Sequence, residues 1–269
     1  MECHTIDLDG RVGEPHHISI YSDIHDASDT AVPHMRRRAD LPNASFICLG
    51  DMFDMIVPSD NRRFQPSRVK ETLRGHDDFI DRAIEDGLDT YGKFPWRMLG
   101  TGNHCHEVLK RHFTNPMARL AGKLRVPFGG FSGYLRFRFR LKNGRVARWK
   151  LNLLYHHGGS SGPVTKGLPW AQRFANGFAD WDIFAYGHNH QCHAHHEAYL
   201  HLAEKHDTIV KKSRYIVNCG TFLDGYEQGQ TPSYVEVKGY RPVAIAAPLV
   251  TATPHRDGRI RISVTVGEL

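Results

Sequence analysis

Two histidines one residue apart, His188 and His190, follow directly on the apolar run 182–186 and its closing Gly187. Imidazoles at that spacing at the mouth of a strand can turn toward one point, and neutral imidazole is a common ligand of transition metals. Four further stretches repeat the design, each an apolar run that stops abruptly at His, Asp or Asn. Residues 18–21 precede Ser22-Asp23-Ile24-His25, and residues 45–49 precede Gly50-Asp51-Met52-Phe53-Asp54. Residues 96–99 then lead to Gly102-Asn103-His104, and residues 151–155 to His156-His157-Gly158. In open α/β sheets ligands sit beyond the carboxyl ends of the strands. Five strands that carry oxygen and nitrogen donors to one rim predict a metal site.

The elements that must hold those donors can be read between them. The first core strand is expected at 17–21, after a polar lead-in (1–15) that carries one edge strand. A polar turn and a short helix ended by Pro42 fill 26–44, with the run Met35-Arg36-Arg37-Arg38 on a solvated face. Over 77–88, Phe79, Ile80, Ala83, Ile84 and Leu88 recur at helical spacing. Asp77 and Asp78 then fall in the first turn, where they suit the helix dipole. Further helices are expected at 107–113 and 170–178, and strands at 182–186, 214–219, 233–238 and 259–266. This mixed alternation predicts one α/β domain over 1–269. Its motif core is about 17–190, and strands within 214–267 complete it.

The segment 133–155 reads as a hairpin around Asn143-Gly144. A three-residue loop with Gly144 left-handed sets Leu135 opposite Leu151, Phe137 opposite Trp149 and Phe139 opposite Ala147. A two-residue loop would mix polar and apolar residues on each face, so the bulged loop is preferred. The other face then carries Arg136, Arg138, Arg140, Arg148 and Lys150. A solvated outer face is the simpler reading of that stripe than a polyanion groove, because no aromatics interleave with it.

Composition sets outer limits. The chain has 269 residues, enough to bury a substantial core, and a formal charge of +6. That charge permits an anionic substrate without requiring nucleic acid. Five cysteines at irregular spacing, with no CxxC pair, indicate neither a disulfide framework nor a zinc knuckle. They fit a reducing cytoplasm. No secretory signal is visible at the N-terminus, and no apolar stretch approaches the ~20 residues of a membrane span. A cytoplasmic protein with no membrane partner is expected. Nineteen histidines are the unusual figure, and several fall in the five motifs. Nothing in the spacing of His193, His195 and His196 requires a third metal. Cys48 is expected in the core, while Lys166, Arg62 and Arg63 are loop cations within reach of a phosphate.

Asp-x-His, Gly-Asp-x-x-Asp, Gly-Asn-His, a His before Gly, and Gly-His-x-His occur here in that order, each after a strand. From about Asp23 to His190 this ordered set resembles the calcineurin-like metallophosphoesterase superfamily. The resemblance implies an α/β fold, a β-sandwich of two mixed sheets flanked by helices. It also implies a dinuclear centre that hydrolyses a phosphomonoester or phosphodiester.

Carried over residue by residue, Asp23, His25, Asp51 and His190 would bind one metal. Asp51, Asn103, His188 and one of His156 and His157 would bind the other, with Asp51 shared. His156 is preferred because the apolar strand stops there, although many relatives place this ligand directly before Gly, as His157 stands. The cofactors implied are two divalent metal ions, Mn foremost, with Fe, Zn or Ni as alternatives. They would polarise the phosphoryl oxygens and generate hydroxide at neutral pH.

Asn103 and His104 would meet the substrate, along with Lys166, and His104 would protonate the leaving oxygen. Many relatives carry an acidic residue directly after this His. Here Cys105 follows, and Glu107 is the candidate partner. Asp54 reads equally as a cap or as a support for the ligands. A nuclease using the basic hairpin face, with nucleic acid as partner, is the alternative enzyme. A non-catalytic metal-binding scaffold is the other alternative, but none of the set's ligands is missing. The motifs leave substrate and oligomeric state open.

Overall fold

The computed structural model describes residues 1–57, 77–141, 146–159, 165, 167–203, 207–226 and 233–267, without the side chains of 141, 146–148 and 234. Lys166, Arg62, Arg63 and the turn Asn143-Gly144 lie outside the described residues. Two six-stranded mixed sheets face each other, with helices on both outer sides. This is the architecture that the resemblance implies.

The first sheet holds β2 (His16–Tyr21), β3 (Ala44–Cys48), β4 (Trp96–Gly100) and β5 (Phe128–Gly130), all parallel. Antiparallel β11 (Leu249–Pro254) and β12 (Ile260–Thr265) extend it beyond β2. In the second sheet β1 (Glu2–Gly10) runs parallel to β6 (Ser132–Leu141), which pairs antiparallel with β7 (Val146–His156). Next come β8 (Ile183–Tyr186) and β10 (Ile209–Cys219), both parallel to β7, and antiparallel β9 (Cys192–Leu202) at the edge.

Alternation along each strand builds three apolar layers. Ile18, Ile20, Ile47 and Met98 meet Phe137, Leu151, Leu153 and Ile183 between the sheets. The outward residues of the first sheet, among them Tyr21, Phe46, Cys48 and Leu99, pack under four helices. These are α1 (Ser28–Ala39), α2 (Phe79–Tyr91), α3 (Asn103–His112) and α4 (Pro116–Leu124). Leu154, Phe184, Tyr186 and Ile216 pack under α5 (Leu168–Ala175). Strands covered on both faces read as continuous apolar runs, which is why the core strands stand out in the sequence.

Several expectations are corrected. Residues 233–238 do not form a strand: Tyr234–Val237 is a helical turn, α6, because Ser233 Oγ accepts the Glu236 amide at 3.2 Å. That Ser-x-x-Glu pattern is a capping signal. Arg38 is not on a solvated face; it is buried, and its guanidinium donates to the Ala247 carbonyl at 3.3 Å. The hairpin pairs Leu135 with Leu153 and Phe137 with Leu151, shifted by two from the expected register. Only the outermost pair, Arg140 with Val146, keeps that register, and an irregularity in β7 supplies the shift. A shift of two leaves every side chain on its expected face. The basic stripe is partly neutralised, since Asp7 on β1 accepts from Arg138 at 2.5 Å and pairs with Arg140 at 2.7 Å.

Candidate metal centre

β2, β3 and β4 of one sheet and β7 and β8 of the other all deliver their carboxyl ends to one rim of the sandwich. The five motifs therefore meet. Asp23 and His25 follow β2, Asp51 and Asp54 follow β3, and Asn103 and His104 open α3 after β4. His157 follows β7, and His188 and His190 follow β8.

Tight backbone turns make the convergence work. Asp23, His25, Asp51, His188 and His190 all have positive φ, between 48° and 72°. Such angles are uncommon outside glycine, though Asp, Asn and His tolerate them best. Each costs on the order of 1–3 kcal/mol and persists only where neighbours hold it. Here the loops lace one another. The Asp23 amide donates to the Gly50 carbonyl (3.1 Å), and the His25 amide to the Asp51 carbonyl (3.0 Å). The His188 amide donates to Asp23 Oδ2 at 2.8 Å, which joins the two sheets across the site.

Among the described residues, three overlapping groups of ligand atoms result. The first is Asp23, His25 and His190, the second His25, Asp51 and His104, and the third Asp51, His157 and His188. Asp23 Oδ1 lies 3.7 Å from His25 Nε2 and 3.5 Å from His190 Nε2. Those gaps are too wide for a hydrogen bond, but about right for neighbouring ligands bonded at ~2.1 Å to one cation. Both Asp23 Oδ1 and His25 Nε2 are buried with no hydrogen-bond partner, so the donor set fits a metal ion. On the other side, His157 Nε2 lies 3.1 Å from Asp51 Oδ2 and 3.1 Å from Asn103 Oδ1. Asp51 is buried between the two sides, and its Oδ1 accepts the His104 amide at 3.0 Å.

The expected ligands Asp23, His25, Asp51, Asn103, His188 and His190 are thus brought together, and of the histidine pair it is His157 that joins them. His156 is turned away. Its ring packs against Trp170 and Phe174 of α5, with centroids at 5.3 and 4.8 Å. Its Nδ1 accepts the Gly158 amide at 2.9 Å, and burial pushes its imidazole down to about 4. The preference for His156 is therefore corrected.

The partner expected for His104 is corrected too. Glu107 bonds Lys110 on its own helix at 2.7 Å, whereas Asp54 Oδ1 lies 3.0 Å from His104 Nδ1. The same oxygen is 3.4 Å from His25 Nδ1, so one carboxylate supports both rings.

Three contributors carried no motif. β10 also ends at this rim, where Thr221 Oγ1 and the Phe222 amide both donate to the Asp23 carbonyl, at 2.8 and 3.1 Å. Asn218 Nδ2 donates to Asn189 Oδ1 at 2.5 Å and so ties down the loop carrying His188 and His190. The apolar strand closing in Asn218-Cys219-Gly220-Thr221 was the available signal.

At the centre buried carboxylates and imidazoles stand close enough to shift one another's proton affinity. Burial alone would raise the Asp23 carboxyl, yet His190 and His25 hold it well below the usual range. Burial would lower His25 and His157, yet Asp23 and Asp54 hold His25 well above the ordinary imidazole value, and Asp51 holds His157 above it. A raised imidazole contributes stability below its unfolded value, near 6.5, and loses it as pH climbs through the folded value. Metal-free protein should therefore lose thermal stability as pH is taken upward from about 6.5. Mn²⁺ should bind more tightly over the same range, because it must displace protons from His25 and His157. Melting temperatures of chelator-treated and Mn-loaded protein at several pH values check both trends. Parallel curves would contradict them.

Close approach also explains two glycines. A Cβ on Gly102 would overlap the Asp51 carboxylate and come within 2.6 Å of His157 Cε1. One on Gly187 would overlap Ser22 Oγ and stand 2.6 Å from Asp23 Oδ2. Gly102→Ala is expected to destabilise the fold by about 1–3 kcal/mol, the usual cost of overpacking. It should also weaken metal binding, read by denaturant melts and metal analysis. Unchanged metal content would show that Asp51 and His157 can yield.

The fold and site together describe a two-sheet α/β sandwich with histidines and carboxylates clustered at one strand-end rim. No family model and no curated protein matches the chain. Among solved structures it is similar to an archaeal phosphodiesterase, with 13% identity, 93% of this chain and 99% of that chain covered, and a TM-score of 0.35. It is also similar to Vps29 of Chaetomium thermophilum, with 12% identity, coverage of 94% and 98%, and a TM-score of 0.37. A metallophosphoesterase from Sphaerobacter thermophilus shows 14% identity, coverage of 94% and 88%, and a TM-score of 0.37. Likenesses this distant say nothing about activity, which has to be read from the site. Among the described residues no helix is long and apolar enough to cross a membrane.

Proposed function

We propose that the protein is a metal-dependent phosphoesterase of the calcineurin-like type, with Asp51 shared between two metal positions. One observation carries the reading: buried Asp51 stands between two His/Asp groups, at hydrogen-bond distance from His157 and in a common cluster with His25. Asp23, His25, Asp51 and His190 would hold one divalent ion, and Asp51, Asn103, His157 and His188 the other. Bound there, two cations supply Lewis-acid polarisation of the phosphoryl group and a nucleophile from water at neutral pH.

The chain's own residues do the rest. Asp54 holds His104 by Nδ1, which leaves Nε2 as the atom that can give a proton to the departing oxygen. Positive-φ turns and cross-loop hydrogen bonds fix the ligands before any substrate arrives, so little reorganisation is left for the reaction. The substrate in this reading is a phosphomonoester or a phosphodiester. A cytoplasmic setting fits a chain with five cysteines at irregular spacing and no CxxC pair.

Metal analysis of protein purified with added Mn, coupled to a panel of monoesters, diesters and polynucleotides, tests the proposal. About two ions per chain and Mn-dependent turnover of at least one ester class are expected. A folded, Mn-exposed sample that binds none would end it.

A further inference from the structure

The last two strands of the second sheet set two thiols against each other. β9 and β10 run antiparallel, and their register ends with Cys192 opposite Cys219. The Gly220 amide donates to the Gln191 carbonyl at 3.0 Å, which makes 192/219 a non-hydrogen-bonded pair. In such pairs the Cα atoms are about 4.5 Å apart, and the side chains, on one face, are closer than in the other kind. A disulfide accepts Cα separations of about 4.4–6.8 Å. The strands also crowd together here, since a Cβ placed on Gly220 would stand 3.0 Å from Cys192 Cβ. Cys219 is buried and Cys192 partly exposed, so one thiol can be reached from solvent and the other lies behind it. The place is not neutral for the site. Cys192 comes two residues after His190, and Cys219 two before Thr221, which holds the Asp23 carbonyl.

We propose that Cys192 and Cys219 are a site of reversible disulfide formation with a small-molecule disulfide as oxidant. Cys192, as thiolate, attacks one sulfur of the oxidant; that S–S bond breaks and one small thiolate leaves and takes up a proton. Cys219 then gives up its proton and attacks the Cys192 sulfur, and the second small thiol departs. The protein loses two electrons and two protons, and the oxidant gains them. The bond ties the segment behind the His190 loop to the segment that buttresses Asp23. This inference stands whether or not the chain is a phosphoesterase.

Full-length Cys3→Ser protein, which lacks the exposed thiol of β1, is incubated with oxidised glutathione, alkylated and analysed by intact and tryptic mass spectrometry. The expected result is loss of two hydrogen masses and a linked pair of peptides containing Cys192 and Cys219, separated again by dithiothreitol. With Cys219→Ser added, the reaction should stop at a glutathione adduct on Cys192. The proposal is overturned if the Cys3→Ser protein itself stops at the adduct, takes up no oxidant, or links other cysteines.

Discussion

Asp51→Asn protein should fold normally and lose phosphoesterase turnover by about 10³-fold or more, equivalent to ~4 kcal/mol of transition-state stabilisation. The substitution keeps size and shape. An Asn oxygen can still accept the His104 amide now held at 3.0 Å, and its amide can face a neutral His157 nitrogen. What disappears is the single negative charge that both proposed ions share. Metal content should fall from about two ions per chain to one or none. Circular dichroism, metal analysis and steady-state kinetics on the same preparation separate loss of charge from loss of fold. Full activity with metal lost would point to a contaminating enzyme, and unchanged metal content with unchanged activity would remove Asp51 from the centre.

His104→Gln should behave differently. His104 lies within ligand distance of His25 and Asp51, but its Nδ1 is engaged by Asp54. In the proposed role it donates a proton rather than binding an ion. A fall in kcat of about 10²–10⁴-fold with both metals retained is expected, the usual contribution of a positioned general acid. The loss should be greatest for alkyl esters, whose leaving oxygen needs the proton. It should be smallest for nitrophenyl esters, which leave without help. Asp54→Asn should reproduce the same leaving-group pattern at smaller size, because the ring stays but its anchor weakens. Equal losses across all leaving groups, or loss of a metal ion from His104→Gln, would instead make His104 a ligand.

Much of the centre was legible before any fold was known. Asp-x-His, Gly-Asp and Gly-His-x-His at strand ends are local signals, because a sharp turn after a buried strand needs residues that tolerate positive φ. Asp23, Asp51, His188 and His190 are those residues, and they are also the donors. The histidine pair shows where such reading stops. Within 151–155, Leu151, Leu153 and Tyr155 pack between the sheets and Leu154 packs under α5, with Asn152 the one polar residue. Leu154 breaks the alternation that Asn152 begins, so the run did not mark which side His156 would take. The pleat sends His156 with Leu154 toward α5, and His157 with Tyr155 toward the centre.

The donor types and their order follow from the sequence by itself, because each motif is a contiguous stretch, and the proposed class of chemistry rests on the resemblance that order carries. Only the tertiary structure decides which donors share a point. His157 rather than His156, Asp54 rather than Glu107 beside His104, and the Thr221 support of Asp23 all depend on how separate strands are registered and faced. Those are distances between residues far apart in the chain, set by packing across two sheets, and no local pattern encodes them.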